Sequence, residues 1–216
     1  MPPVITIDGP AASGKSSIAR LVAKHLGYTF VGTGNMYRAM TWAVLHRGVD
    51  PADAAAVAAV LPAITFECPV LDGITHVRLD GHDLSLDDLN TDAINRAVSL
   101  VARVPEVRTR LVADQRALTA LGPLVMEGRD IGSVVFPDSP WKIYIDASEE
   151  VRAARRRAQG QADNLAERDR LDKARKSSPL VIPDGAEIID NSHITLEEAV
   201  EKVLASLASK NLSPSA

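Results

Sequence analysis

The sequence predicts an α/β fold in three layers, a parallel sheet of five strands between helices, with a small antiparallel insert. Three observations predict it. Short apolar runs recur at residues 4–7, 28–31, 124–126, 142–145 and 187–189, with helix-like stretches between most of them. Hydrophobic residues make up 46% of the chain but aromatics only 4%, so the core is aliphatic, as suits a parallel sheet covered on both faces. The middle of the chain breaks the alternation with still shorter strand-like runs separated by Asp-Gly turns.

In order along the chain, Val4 to Ile7 is the first strand, and a Gly-rich turn leads into a helix from Ser16 to Leu26 that Gly27 ends. Tyr28 to Val31 reads as the second strand and Asn35 to His46 as the second helix, closed near Gly48. Asp50-Pro51 suits the start of a short helix, with Pro51 at its first position. Ile64 to Glu67 and Val77 to Leu79 are strand-like, with Asp72-Gly73 and Asp80-Gly81 as turns, so 62–90 reads as the antiparallel insert. Helices follow over about 91–101 and 105–121, broken by Gly122-Pro123. Strands then return at Leu124 to Met126 and Lys142 to Ile145. Ser148 caps a helix carrying Arg152, Arg155, Arg156 and Arg157. The very polar stretch 164–176 reads as mobile. Glu187 to Ile189 is the last strand, and Thr195 with Glu198 forms a capping box for a closing helix. The expectation is one domain over 1–208 and a frayed tail over 209–216.

The charge balance excludes some classes of function. Lys and Arg total 24 against 28 Asp and Glu, a net charge of −4, which speaks against a broad nucleic-acid-binding surface and leaves room for a local cationic pocket. The single Cys68 permits no internal disulfide and fits a reducing cytoplasm. No run of about 18 apolar residues occurs, so no membrane span is predicted.

The residues Gly9-Pro-Ala-Ala-Ser-Gly14-Lys15-Ser16 match G-x-x-x-x-G-K-[ST] at every fixed position, between a predicted strand and helix. This is a P-loop, and it makes the α/β prediction a P-loop NTPase fold. Successive backbone N–H groups wrap phosphate, the helix starting at Lys15 aims its positive end at the anion, Lys15 reaches the β- and γ-phosphates, and Ser16 can ligate Mg²⁺. The loop specifies a nucleoside triphosphate but not a reaction. No D-x-x-G or N-K-x-D element of a GTPase switch occurs, which shifts weight to a kinase.

A kinase for a phosphorylated acceptor needs a second group of cations facing the first. Arg suits the task because its fork grips phosphate bidentately. Arg38 and Arg129 each follow a predicted strand, where ligands of open α/β sheets bind, and Arg168 and Arg175 lie in the polar segment.

These stretches together resemble the bacterial cytidylate kinase family over nearly the full length. The residues that carry the resemblance are Ile5 to Pro10, Gly14 to Ser16, Thr33 to Arg38, Glu127 to Asp130 with Gly132 and Val134 to Pro137, and Arg168, Asp169, Asp172, Arg175, Pro179 and Leu180. The resemblance implies phosphoryl transfer from ATP, with Mg²⁺, to CMP or dCMP. It implies that Gly9, Pro10, Ala11, Ala12, Ser13, Gly14, Lys15, Ser16 and Ser17 cradle ATP. It puts Thr33, Tyr37 and Arg38 at the acceptor, Arg129 and Arg175 on phosphates, and Arg168 and Asp172 near the ribose. Ser99, Arg108 and Asp130 would read cytosine, the insert 62–90 would be the monophosphate-binding subdomain, and 155–172 would be a lid. Lys15, Arg38, Arg129 and Arg175 would carry the chemistry, by position and charge. The chain departs from the family pattern in having Gly32 and Glu127 where Asp is usual, Lys173 in place of a common Ser, and a lid about ten residues shorter; Arg156 is the expected lid cation.

Cytosine offers an amine and ring acceptors, so a carboxylate or hydroxyl with an Arg discriminates it from uracil, whose 4-position and N3 are reversed. Two rivals stay open on the sequence: a P-loop kinase for UMP, AMP or a shikimate-like acceptor, and a non-catalytic switch or nucleic-acid-stimulated ATPase. The expected partners are ATP and CMP or dCMP, without nucleic acid or membrane, and the default expectation is a cytoplasmic monomer.

Overall fold

A computed structural model describes residues 2–158, 170 and 180–212. Among these, β1 (Val4–Asp8), β2 (Thr29–Gly32), β8 (Leu124–Gly128), β9 (Lys142–Asp146) and β10 (Glu187–Asp190) form the parallel sheet foreseen, in the order β10-β9-β1-β8-β2. Alternation along each strand feeds two cores. Ile5, Ile7, Val125, Ile143 and Ile145 face α1 (Lys15–Leu26) and α8 (Leu196–Ser209), through Ile18, Val22, Ala199 and Val203. Val4, Val31, Leu124 and Met126 face α2 (Thr33–His46), α5 (Asp92–Val101) and α6 (Pro105–Ala117), through Met36, Met40, Val101 and Leu111. This two-sided burial accounts for the aliphatic strand composition.

The insert departs from expectation. It holds β3 (Phe66–Glu67), β4 (Val70–Leu71), β5 (Ile74–Thr75), β6 (Val77–Leu79) and β7 (His82–Leu84), followed by α4 (Leu86–Leu89). Only β3, β6 and β7 form the separate antiparallel sheet. The hairpin β4–β5 joins the main sheet beyond β2, making it seven-stranded rather than five-stranded. The reason is the free edge of β2: the Phe30 N–H donates to Gly73 O at 2.8 Å and Thr75 Oγ1 donates to Phe30 O at 3.2 Å, which satisfies edge groups that would otherwise face water. Arg110 on α6 holds the other end of the insert, donating to Leu61 O at 3.2 Å and Ile64 O at 3.1 Å.

Smaller differences have local causes. The helix α3 (Ala54–Val60) starts after Asp53, whose carboxylate caps Ala56 N, and not at Pro51, which lies in the preceding turn. The Thr195 capping box forms as expected, and α7 (Glu149–Ala158) begins with Ser148 accepting from Val151 N. The chain packs as far as Leu212, an apolar residue 8% exposed in the second core; of the tail expected from 209, residues 213–216 lie outside the described residues. No described helix is long and apolar enough to cross a membrane.

Candidate active site

The carboxyl ends of β1, β2 and β8 carry the site, because each strand turns there into a helix or a tight loop. Between β1 and α1, the loop 9–14 bends through Ala12 at φ 59° and Gly14 at φ 94°. Gly9 is dictated by space: a Cβ there would lie 2.1 Å from Ile145 O of β9. Three side chains staple the loop from outside it. Asn191, just past β10, and Arg155 on α7 both donate to Ser13 O, at 2.7 and 3.1 Å, and Arg152 donates to Ala11 O at 3.3 Å. Among the four arginines of α7, Arg156 alone lines both clefts described below, Arg155 lines one of them, and Arg157 is exposed. An α-helix rotates by about 100° per residue, so the arginines at 152, 155, 156 and 157 meet different surroundings.

Lys15 is buried, and its Nζ donates to Pro10 O at 3.2 Å and stands 3.8 Å from Glu127 Oε2. Ser16 Oγ donates to Glu127 Oε1 at 2.9 Å. Thr33, the first residue of α2, donates to Glu127 O at 2.8 Å, tying the end of β2 to that of β8. Arg38, one turn on, donates to Leu89 O of α4 at 2.9 Å, so it links the site to the insert. After β8, Arg129 Nη1 donates to Gly9 O at 2.9 Å. Asp130 accepts a short hydrogen bond from Arg108 of α6; both side chains are 5% exposed, and the Arg108 guanidinium lies 5.4 Å from the centre of the Tyr37 ring.

Two clefts meet at this loop. One, of about 260 Å³, is lined by Thr33, Tyr37, Arg38, Ser99, Arg129 and Asp130 among others. The other, of about 530 Å³, runs along Gly14, Ser17, Arg155, Asn191, Ile194 and Leu196. Ala12, Lys15, Ser16 and Arg156 line both, so the clefts share one cationic wall. Among the described residues, no histidine lines either.

The structure thus brings together Lys15, Ser16, Thr33, Tyr37, Arg38, Ser99, Arg129, Asp130 and Arg156, all singled out in the sequence. Gly9, Pro10 and Ser13 line neither cleft, and their carbonyls are taken by Arg129, Lys15 and the Asn191–Arg155 pair. Arg108 stands behind the wall, reached through Asp130. Arg168, Asp172 and Arg175, with most of the expected lid, lie outside the described residues.

Sequence reasoning counted Asp8 and Glu127 within matching stretches, the latter also as a departure, but gave neither a role, and it missed Asn191. An acidic residue at or next to the end of a buried strand was the available signal for Asp8 and Glu127; nothing local marks Asn191, which meets Ser13 across 178 positions. Asp8 is fully buried, and its carboxyl accepts from Ile131 N and Gly132 N at 2.7 Å each. Burial pushes its pKa up to about 7, with the neighbouring Asp130 adding to the rise, against the pull of the two amides and Lys15.

A family model described as cytidylate kinase matches residues 5–209. A cytidylate kinase of Pelotomaculum thermopropionicum is 44% identical across 216 aligned residues, covering 94% of this chain and 95% of that one. One of Mycobacterium leprae is 43% identical over 213 residues, covering 93% of each. Among solved structures, a gluconokinase from Sinorhizobium meliloti 1021 superposes with a TM-score of 0.52 at 18% identity, over 97% of this chain and 93% of that one, a likeness of fold alone.

Proposed function

Because the chain belongs to the cytidylate kinase family, we propose that it transfers the γ-phosphoryl group of ATP to CMP or dCMP, giving ADP and the diphosphate. The observation that carries this reading is the wall of Lys15, Ser16 and Arg156 common to both clefts. Two polyanions, one in each cleft, would meet there with the transferred group between them, which is the arrangement in-line phosphoryl transfer requires.

The donor occupies the cleft of Gly14, Ser17, Ile194 and Leu196, with its phosphates in loop 9–17. The acceptor occupies the cleft of Arg38, Ser99 and Asp130. Arg38 and Arg129 hold the acceptor phosphate, and Lys15 and Arg156 neutralise charge on the moving group. Asp130 and Ser99 accept from the cytosine amine, and Arg108, released from Asp130, donates to the ring. Arg168, Asp172 and Arg175 keep the phosphate and ribose roles that the family resemblance implies. The acceptor oxygen is already anionic, so no general base is needed.

Mg²⁺ fits the residues present. The Ser16 hydroxyl and the Glu127 carboxylate are hard oxygen donors 2.9 Å apart at the mouth of the loop. The described residues offer no cluster of three or more His, Cys, Asp or Glu, which suits an ion completed by water and substrate phosphates. When bound, the ion would be held by Ser16 and Glu127 and would offset the charge of the phosphates. Residues 62–90 would act as the acceptor-binding insert and 155–172 as a lid within one kinase domain, and closure would exclude water. The reading extends to a cytoplasmic monomer, consistent with Cys68 as a free thiol that burial pushes up to about 12.

The test is ADP release with ATP·Mg²⁺ and each of CMP, dCMP, UMP, AMP, GMP and shikimate. Turnover confined mainly to CMP and dCMP is expected. Faster turnover with another acceptor overturns the cytosine assignment and leaves the kinase.

A further inference from the structure

Asp8 ends β1 with both carboxyl oxygens engaged. Oδ1 accepts the N–H of Ile131 and Oδ2 that of Gly132. These two amides open the single π-helical turn, Ile131–Val135, that directly follows Asp130. One residue beyond Asp8, the Gly9 carbonyl receives Arg129. The strand end that launches the phosphate loop therefore grips the segment bearing Arg129 and Asp130 from three points. Space is tight on the turn's side of the grip. A Cβ on Gly132 would lie 2.7 Å from Thr6 Oγ1 and 3.2 Å from Asp8 Oδ2. Thr6 and Asp8, two apart on one strand, face the turn together.

We propose that Asp8 is a positioning residue that sets where Asp130 and Arg129 stand relative to the phosphate loop, and through Asp130 fixes the choice of cytosine over uracil. The proposal rests on the acceptor reading given above. A carboxylate suits the task because it presents two acceptors in one plane to two successive N–H donors of a turn. An amide of the same shape cannot do so, since its NH₂ would face one of those N–H groups donor to donor. Burial raises the cost of an ionised group at this position, and the two amide bonds offset it in part. Neither substrate cleft is lined by Asp8, so its effect on the acceptor passes through the turn it holds.

The test is steady-state kinetics of wild type, Asp8→Asn and Gly132→Ala with CMP and with UMP, beside binding of a non-hydrolysable ATP analogue. Gly132→Ala opens the same clamp from the other side and leaves Asp8 in place. Both variants are expected to raise the CMP KM roughly tenfold or more, the scale of a lost hydrogen bond to a charged group. Both should also lose most of the preference for CMP over UMP, while analogue affinity changes little. A merely structural role would weaken analogue binding as well and leave the preference for CMP over UMP in place. Wild type without a CMP preference overturns the acceptor reading and this proposal with it. Wild type with that preference, and variants that keep its CMP KM and selectivity, overturn the proposal alone. Loss of fold or of analogue binding in both variants overturns it as well, in favour of a structural role.

Discussion

Ser16 Oγ donates a 2.9 Å hydrogen bond to Glu127 Oε1, so the first turn of α1 and the end of β8 meet inside the site. The parallel pairing of β1 with β8, which sets Ile7 opposite Glu127, brings them together. The other carboxylate oxygen faces Lys15 at 3.8 Å, and both side chains of that pair are 8% exposed. One glutamate thus orients the hydroxyl proposed for Mg²⁺ and the lysine proposed for the phosphates.

Glu127→Gln keeps the shape of this contact and removes its charge. Turnover should fall roughly 10–100-fold, as for residues that orient metal ligands. The free Mg²⁺ needed for half-maximal rate should rise. Rate measurements across a Mg²⁺ titration check this, and an unaltered Mg²⁺ requirement would count against the pairing.

Lys15→Met removes a charge aimed at the transferred group and leaves the acceptor cleft in place. The kcat should drop roughly 10²–10³-fold, the scale of losing one preorganised electrostatic contact. The CMP KM should change far less. Equal losses in CMP affinity and in turnover would exclude the role.

Arg108→Met leaves the Asp130 carboxylate buried without its partner, both being 5% exposed in the wild type. Stability should fall by about 3–5 kcal/mol. The double variant with Asp130→Asn should lose less than the sum of the single losses. Urea unfolding of the four proteins closes that cycle. Additive losses would show that the two side chains do not act as a pair.

The stability of the protein should carry the signature of Asp8. Its pKa in the folded chain is about 7, raised from 3.8. A raised value means that its contribution is fully present below about pH 4 and is lost as pH climbs through about 7. Asp8→Asn lacks this dependence. The unfolding free energy of the variant relative to wild type should therefore shift in the variant's favour between about pH 4 and pH 7, by on the order of a few kcal/mol. Asp80, Asp190 and Glu198, each held below its ordinary value first by a hydrogen bond from a partner, act the other way in both proteins and cancel in the difference. Denaturant melts at several pH values read it directly. A constant gap would mean that Asp8 does not titrate in this range.

By itself, the sequence determined whatever chemistry demands of neighbouring residues. An anion cradle needs contiguous backbone amides, so Gly9 to Ser16 is legible as written. A capping box needs two residues three apart, so the start of α8 at Thr195 is legible too. Five strands with apolar side chains on both faces announce a parallel sheet. Tertiary structure alone decided what depends on pairing across distance. It added the β4–β5 hairpin to the sheet, because the bare edge of β2 needed partners that no local pattern specifies. It sorted the arginines of α7 into one facing both clefts, two stapling the phosphate loop and one in solvent, because helix rotation and packing act on residues that look alike in the chain. It also set Glu127 on Ser16 and Asp8 on the turn after Asp130, 111 and 123 or more positions apart, because the order of strands in a sheet is fixed by how they pack and not by their sequence.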